Sequence, residues 1–501
     1  MDQAAVRLRR SRCQQEPKSP TIAVLNPLPE TRNCGITTFT NTSGAEPQDV
    51  TVTMLDQMFT AENFRRIYDA ENRKGFDLAS RYFPSLEPLT LAVRDKVQDI
   101  RDHRANQASM TADVFEATLL DLKKKLADAK AEKSTAVDAL MDEISQKVLK
   151  PTFKIDLSKK DGPNGKPVFC IDAEPESFFV IKQLQRNINR IYGVKQANRH
   201  DLVCQVRDML SGTFPFELVR TDISSFYESI DRKRLLEKLD SDQLLSPASK
   251  KYIKQVLISY GVKSGTAAGV PRGVGISAYL AEFYLRPVDN AIRAIPGLVL
   301  YCRFVDDIVA VFARPPAGNS LGSYKDRIID IFGQYALTHN AAKTSEFACL
   351  GPHPQVFEYL GYKFTIAAGK CEIGPSTAKV DKYRERMKAA FEEYWLERSL
   401  RTRRAYRELI WRIKFLTGNT RLSNSKSQAA TGIYYNNSIA TDMTSFDQLD
   451  LELKALIATL HSSSLQKKLK KLKFTTGFEQ RRYHHFSARE LQTIVRAWKH
   501  A

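Results

Sequence analysis

Three aspartates carry the most pointed chemistry in this 501-residue chain. Asp306 and Asp307 are adjacent and lie between two apolar runs, Leu298 to Phe304 and Ile308 to Phe312. Neighbouring carboxylates repel each other and desolvate badly, and a divalent cation is the usual remedy. Oxygen ligands of this kind suit Mg²⁺. A solvated turn is the competing reading, because Asp also favours turns. The third acid, Asp222, closes the run Val219-Arg220-Thr221-Asp222, with Phe226 and Tyr227 shortly after it.

These acids need elements that bring them together. Both runs around Asp306 and Asp307 are rich in Val, Leu, Tyr and Phe, which predicts a strand–turn–strand hairpin with the acids at its tip. Successive residues there point different ways, so one carboxylate can face a site while the other braces it. Val219 to Asp222 reads as a strand ending at Asp222, followed by helical spacing through Ile230, Leu235 and Leu236 to Leu239. Gly265, Gly269, Gly273 and Gly275 predict a loop whose backbone can approach a ligand closely. A helix is expected from Ser277, with Leu280, Phe283, Tyr284 and Val288 on its buried side and Ser277 as N-cap or support for the site.

Taken in order, Asp222-Ile-Ser-Ser-Phe-Tyr227, Pro271-Arg272-Gly273-Val274-Gly275-Ile276-Ser277, Phe304-Val-Asp306-Asp307, His339-Asn340-Ala-Ala-Lys343-Thr344 and Leu360-Gly361-Tyr362 resemble five successive motifs of reverse transcriptases. The resemblance spans Asp222 to Phe364. It implies an α+β right-hand polymerase with fingers, palm and thumb, an N-terminal helical extension and a helical C-terminal region. It also implies two Mg²⁺ ions, with Mn²⁺ as a substitute, held by Asp222, the Ile223 backbone and Asp306, with Asp307 bracing the site or touching a metal. Lys343 would act on the leaving pyrophosphate, and Tyr227 would exclude the 2′-hydroxyl of a ribonucleotide. Gly273 and Ser277 would shape the nucleotide pocket, and Leu360, Gly361 and Tyr362 would grip the primer. Relatives commonly carry Gln and Pro where this chain has Arg272 and Ala278, so Arg272 is assigned to phosphate instead.

Within that family, Phe304 in place of Tyr, the divergent middle motif and the long helical extensions resemble the phage-defence reverse transcriptases, called unknown-group or abortive-infection enzymes. This implies antiviral defence, an RNA template or noncoding RNA, deoxynucleoside triphosphates, a DNA product, unusual priming or templating, and a homo-oligomer or partner polymerase. Two alternatives belong to other classes. An RNA polymerase of the same palm fold is disfavoured by Tyr227 and the Phe-x-Asp-Asp motif. A nonenzymatic nucleic-acid-binding scaffold with a retired palm is disfavoured by the joint presence of Asp222, Asp306, Asp307 and Lys343.

The rest of the chain fits a nucleic-acid enzyme. A formal charge of +19 points to a polyanionic partner, and 43% hydrophobic residues to a folded core. Cysteines 13, 34, 170, 204, 302, 349 and 371 are scattered without metal-ligand spacing, which fits reduced thiols in a cytoplasmic protein. No apolar run reaches membrane-spanning length. Residues 1–50 read as an irregular arm and 51–150 as the helical extension. In that extension Phe115, Leu119, Leu122, Leu126, Ala129, Ala136, Leu140 and Ile144 form a seam interrupted at Lys133. It fits a helical hairpin, an assembly helix or an amphipathic helix of its own domain. Residues 151–215 occupy the fingers position, with Arg190, Lys195 and Arg199 as cations for the incoming triphosphate. The palm takes 216–375. Residues 376–501 are basic and helical, and Arg401, Arg403 and Arg404 suit a thumb following a nucleic-acid backbone, or a solvated helix face.

Overall fold

The computed structural model describes residues 56–162, 165–194, 197–212, 214–314, 322–348, 354–367, 369–422 and 429–498. The N-terminal arm and Lys195 lie outside the described residues. The described chain begins with helices α1 (Ala61–Arg73), α2 (Leu78–Tyr82), α3 (Glu87–Ala105) and α4 (Ala112–Leu149). Thr60 caps α1, accepting from the Asn63 amide, and Phe64, Ile67 and Tyr68 form its buried stripe. Helices α3 and α4 pack as a hairpin across a short turn, where the His103 and Phe115 rings stack. Lys133 does not interrupt α4, since a single polar position costs a continuous helix little. The two ends of the predicted seam have different partners. Phe115, Leu119, Leu122 and Leu126 are half-buried, whereas Ile144 enters the largest core with Ala136 and Leu140 packed against it; Val137, Met141 and Val148, outside the predicted seam, are the other apolar residues of α4 buried there.

Next come the hairpin β1 (Leu157–Asp161) and β2 (Pro167–Ile171), then α5 (Pro175–Tyr192), α6 (Arg199–Leu210) and β3 (Phe216–Asp222). The helix expected after Asp222 is broken into α7 (Phe226–Ser229) and α8 (Arg232–Ser241). Asp231 starts α8 afresh by accepting from the Arg234 amide, the local hydrogen bond that makes Asp a good N-cap. Helices α9 (Pro247–Ser264) and α10 (Ile276–Arg293) lead into the predicted hairpin, β4 (Leu298–Phe304) and β5 (Asp307–Ala313). After α11 (Tyr324–Gln334), strand β6 (Ser345–Ala348) completes an antiparallel sheet of order β4-β5-β3-β6.

Period-two alternation gives this sheet two apolar faces. Val219, Ile308, Ala310 and Phe312 join the largest core, together with residues of α1, α4, α5, α9 and α10. Phe216, Leu218, Cys302, Val309 and Val311 face a second core, built with α6 and the sheet β7 (Gln355–Tyr359), β8 (Tyr362–Ala367) and β9 (Lys370–Pro375). Beyond it, α12 (Thr377–Thr417), the pair β10 (Asn419–Arg421) and β11 (Ala430–Gly432), and helices α13 (Thr444–Ala458), α14 (Ser463–Leu469), α15 (Phe474–Glu479) and α16 (Ala488–Arg496) enclose a third core. Helix α12 is kinked at Arg401, whose φ of −146° and ψ of 62° are not helical. Among the described residues no helix is long and apolar enough to cross a membrane.

Candidate active site

Strands β3 and β5 pair with Asp222 opposite Asp307. Opposed residues of an antiparallel pair point to the same face, so the two carboxylates share one side of the sheet. Beyond the strand end, the Ile223 N–H donates to the Asp306 carbonyl at 3.0 Å, which ties the hairpin turn to the residue after Asp222. The Asn340 N–H donates to the Asp222 carbonyl at 2.7 Å and brings in the segment carrying Lys343. Three segments far apart in the chain thus meet at one edge.

The turn is strained and then held. Val305 has φ 61°, a left-handed conformation that a β-branched residue adopts at a cost of about 1–3 kcal/mol. Its carbonyl accepts from Arg303 Nη1 at 3.0 Å. Arg303 is in turn fixed by Glu282 at 2.6 Å and Asp289 at 2.7 Å, and the Tyr301 hydroxyl donates to Asp289 at 2.7 Å. Burial works against the Arg303 charge, but the two carboxylates outweigh it and hold the guanidinium firmly protonated. A buried, fully paired cation therefore sets the position of the Asp306-Asp307 turn.

The acids have unequal surroundings. Asp222 is buried; its Oδ2 accepts from Lys343 Nζ at 2.8 Å and its Oδ1 from Asn340 Nδ2 at 3.3 Å. Burial raises the Asp306 carboxyl above its usual range, and nearby Asp222 adds to the effect. Burial pushes Asp307 up to about 6 against the pull of Arg220, and Asp222 and Asp306 push the same way. Arg220 Nη2 lies 3.1 Å from Asp307 Oδ1, an ion pair without hydrogen-bond alignment, while Nη1 donates to the Lys343 carbonyl at 2.6 Å. Among the described residues no three His, Cys, Asp or Glu side chains stand grouped as metal ligands. The donor chemistry nevertheless fits Mg²⁺. The oxygens are hard, and negative charge on Asp306 and Asp307 is incompletely compensated, which a divalent cation would relieve.

The glycine-rich loop packs beside these acids. Val270 N–H donates to the Tyr227 carbonyl and Gly269 N–H to the Ile230 carbonyl, both at 2.8 Å. Gly273 has φ +97°, and a Cβ there would meet Val168 Cγ1 at 2.4 Å and the Phe169 carbonyl at 2.7 Å, so only glycine lets the loop rest on β2. Ser277 is not the cap of α10. Gly275 takes that position, and the buried Ser277 hydroxyl donates to the Pro271 carbonyl at 2.7 Å, closing the loop on itself. Phe226 is buried in the core, whereas Tyr227 is half-buried and close enough to Asp306 to feel its charge. Arg272 lies 5.7 Å over the Tyr227 ring and is paired with Glu228 at 2.9 Å.

Other predicted residues lie elsewhere. Arg199 donates to the Leu360 carbonyl from Nε at 3.0 Å, so it supports the β7–β8 turn, and the cations acting on Asp306 and Asp307 are Lys343, Arg272 and Arg220. Leu360 and Gly361 both have positive φ in that turn, and Tyr362 is buried behind it. Arg190 lies in the last turn of α5, near Arg186. Arg401 and Arg403 are exposed at the α12 kink, and Arg404 is bonded to Glu408 at 2.6 Å. The motif reading gave no role to Arg220, Arg303 or Asn340. The signal for the two arginines was present: Arg303 interrupts an otherwise apolar strand, and Arg220 shares the face of Asp222 by period two.

Residues 199–364 match the family model described as reverse transcriptase (RNA-dependent DNA polymerase). No curated protein matches the chain. Among solved structures, apo telomerase from Candida tropicalis is similar at 13% identity and TM-score 0.36, over 70% of this chain and 63% of that one. A C-terminally truncated form of it matches at 13% identity and TM-score 0.32, over 52% of this chain and 70% of that one. Telomerase from Candida albicans, in complex with a fragment of telomeric RNA, matches at 10% identity and TM-score 0.31, over 73% and 66%. The chain spans just under two thirds of the full Candida tropicalis and Candida albicans chains. Residues 199–364 thus form a reverse transcriptase domain, and the mixed helix-and-sheet architecture is consistent with a right-hand polymerase fold.

Proposed function

We propose that this chain is an RNA-directed DNA polymerase working by two-metal nucleotidyl transfer. The observation that carries the reading is the meeting of Asp222, Asp306, Asp307 and Lys343 at one end of the β3–β5 pair, inside the matched domain. Asp222, the Ile223 carbonyl, Asp306 and Asp307 would hold two Mg²⁺ ions, with Mn²⁺ as a substitute, and the ions would neutralise phosphate charge and acidify the primer hydroxyl. Asp307, paired with Arg220, braces the turn. Lys343 holds a proton close to Asp222 and can turn it toward a leaving pyrophosphate. Tyr227 closes the space beside the incoming sugar. Gly273 and Ser277 fix the loop beneath the nucleotide, and Arg272 offers a cation over the Tyr227 ring. Residues 151–215 act as fingers, 216–375 as palm and 376–501 as thumb, with 51–150 as an extension.

The RNA template or noncoding RNA, deoxynucleoside triphosphates, a DNA product, a homo-oligomer or partner polymerase, and a cytoplasmic role in phage defence belong to the same reading. They are supported by the motif resemblance and the basic charge. Primer extension with an RNA template, a DNA primer, deoxynucleotides and Mg²⁺ tests the activity; absence of product under every priming condition overturns it. Sequencing the nucleic acid that copurifies with the protein tests the noncoding RNA, and phage challenge of expressing cells tests defence.

A further inference from the structure

A cavity of about 540 Å³ lies between the start of α6, Tyr362 at the start of β8, the first turns of α12 and the segment carrying Tyr435, Asn436, Ser438 and Ile439. Arg199, His200, Lys379, Lys382 and Arg386 line it, and no acidic residue does so among the described ones. Arg303, for comparison, has Glu282 and Asp289 as carboxylate partners. Lys379 instead reaches neutral oxygens, the Asn436 carbonyl at 2.9 Å and Asn437 Oδ1 at 3.3 Å, and lies 4.1 Å over the Tyr362 ring. Arg199 is close by. The two cations flank Gly361, where a Cβ would meet Arg199 Nη2 at 2.7 Å and Lys379 Cε at 3.1 Å. Burial, then Arg199, push the Lys379 ammonium down to about 8. The fold therefore holds like charges together without a counter-charge in the cavity wall, and an anion would relieve their repulsion and the desolvation of Lys379.

The tyrosines narrow the anion's class. Tyr362, Tyr383 and the exposed Tyr435 add ring faces to the cationic wall. Cations beside aromatic rings are the combination that holds a nucleotide by phosphate and base together. The volume lies within the range of small-ligand sites, which is about 300–1,000 Å³. We propose that this cavity binds a phosphate-bearing nucleotide, with the phosphate on the Lys379–Lys382 side and the base toward Tyr435. The ligand is either a free nucleotide or one unit of a single strand. Choosing a nucleotide over another phosphate compound rests on the polymerase reading; the need for an anion does not.

The test is equilibrium binding to the full chain at low salt, without Mg²⁺ or triphosphates. The probes are inorganic phosphate, deoxyadenosine monophosphate, and a short single-stranded oligodeoxynucleotide. Lys379→Met and Lys382→Gln should each weaken monophosphate or oligonucleotide binding at least tenfold, whereas Asp306→Asn should bind like the parent. Affinity should fall as pH rises through about 8, where Lys379 loses its proton in the presence of Arg199, His200, Lys382 and Arg386. Lys382 is exposed, so its variant removes a charge without opening the core. Much tighter binding of the oligonucleotide assigns the cavity to a strand, and equal affinity assigns it to a free nucleotide. Binding that both lysine variants leave unchanged, or that Asp306→Asn abolishes, overturns the proposal. Phosphate binding as tight as nucleotide binding overturns the nucleotide assignment. A chain that makes no DNA yet binds nucleotide here separates the two readings.

Discussion

Lys343 Nζ stands 2.8 Å from Asp222 Oδ2, although 121 residues separate them. That contact gives Asp222 a positive neighbour, while Asp306 and Asp307 stay above the usual carboxylate range. The charge deficit of the site therefore lies on the hairpin side, and the predictions begin there.

Asp306→Asn should abolish DNA synthesis while leaving the fold intact. Losing one charged ligand at a metal-dependent site costs several kcal/mol of transition-state stabilisation, where about 1.4 kcal/mol is tenfold in rate. Primer extension and a thermal melt measure the two quantities separately. Parental activity in a folded variant would end the catalytic reading of the hairpin.

Asp307 gives a pH signature. Burial raises its folded-state carboxyl to about 6 from an ordinary 3.8, so the native protein binds the proton more tightly than the unfolded chain. By linkage, stability without Mg²⁺ should fall as pH rises from about 4 to about 6, by up to roughly 3 kcal/mol at about 1.4 kcal/mol per unit. Denaturant titrations in EDTA should show that slope, and Asp307→Asn should flatten it. Equal slopes in both proteins would refute the assignment.

Arg303→Met should destabilise the protein by about 3–5 kcal/mol, because Glu282 and Asp289 would be left buried without their cation. It also frees the Val305 carbonyl, so any folded variant should lose turnover more than nucleotide affinity. Denaturant midpoints and a split of kcat from KM test this. A variant as stable as the parent would show that the cluster is not what holds the turn.

The basic stretch of α12 is tested by salt. Replacing Arg401, Arg403 and Arg404 together by Ala should flatten the plot of log affinity against log salt. Arg404 is already engaged by Glu408, so the slope should change by about two phosphate contacts, at roughly 0.9 each for duplex DNA. An unchanged slope makes these arginines a solvated face.

Tyr227→Ala should admit ribonucleotides while retaining some deoxynucleotide incorporation. Phe226 is buried in the core, which leaves Tyr227 as the ring beside Asp306. Removing the ring removes a clash with a 2′-hydroxyl, whose burial without a partner costs about 1–3 kcal/mol. Competition between the two nucleotide types measures the ratio, and unchanged selectivity would sink the assignment.

The sequence by itself determined the local pieces. Apolar strand composition on either side of Asp306-Asp307 left a hairpin as the way to present both acids, and β4 and β5 form it. The strand ending at Asp222 was legible for the same reason, because Phe216, Leu218 and Val219 give it strand composition up to the acid. Only the tertiary structure decided what meets what. The register that sets Asp222 opposite Asp307 comes from two cores pressing on opposite faces of the sheet, which no local pattern specifies. Arg199 went to the Leu360 carbonyl, Ser277 to the Pro271 carbonyl, and Arg303 to the buried acids that hold the turn. Each of those contacts pairs residues distant in sequence or across a turn. The Ser277 and Arg303 contacts are made because a buried polar group must find a partner, and which partner depends on the packing of the whole chain.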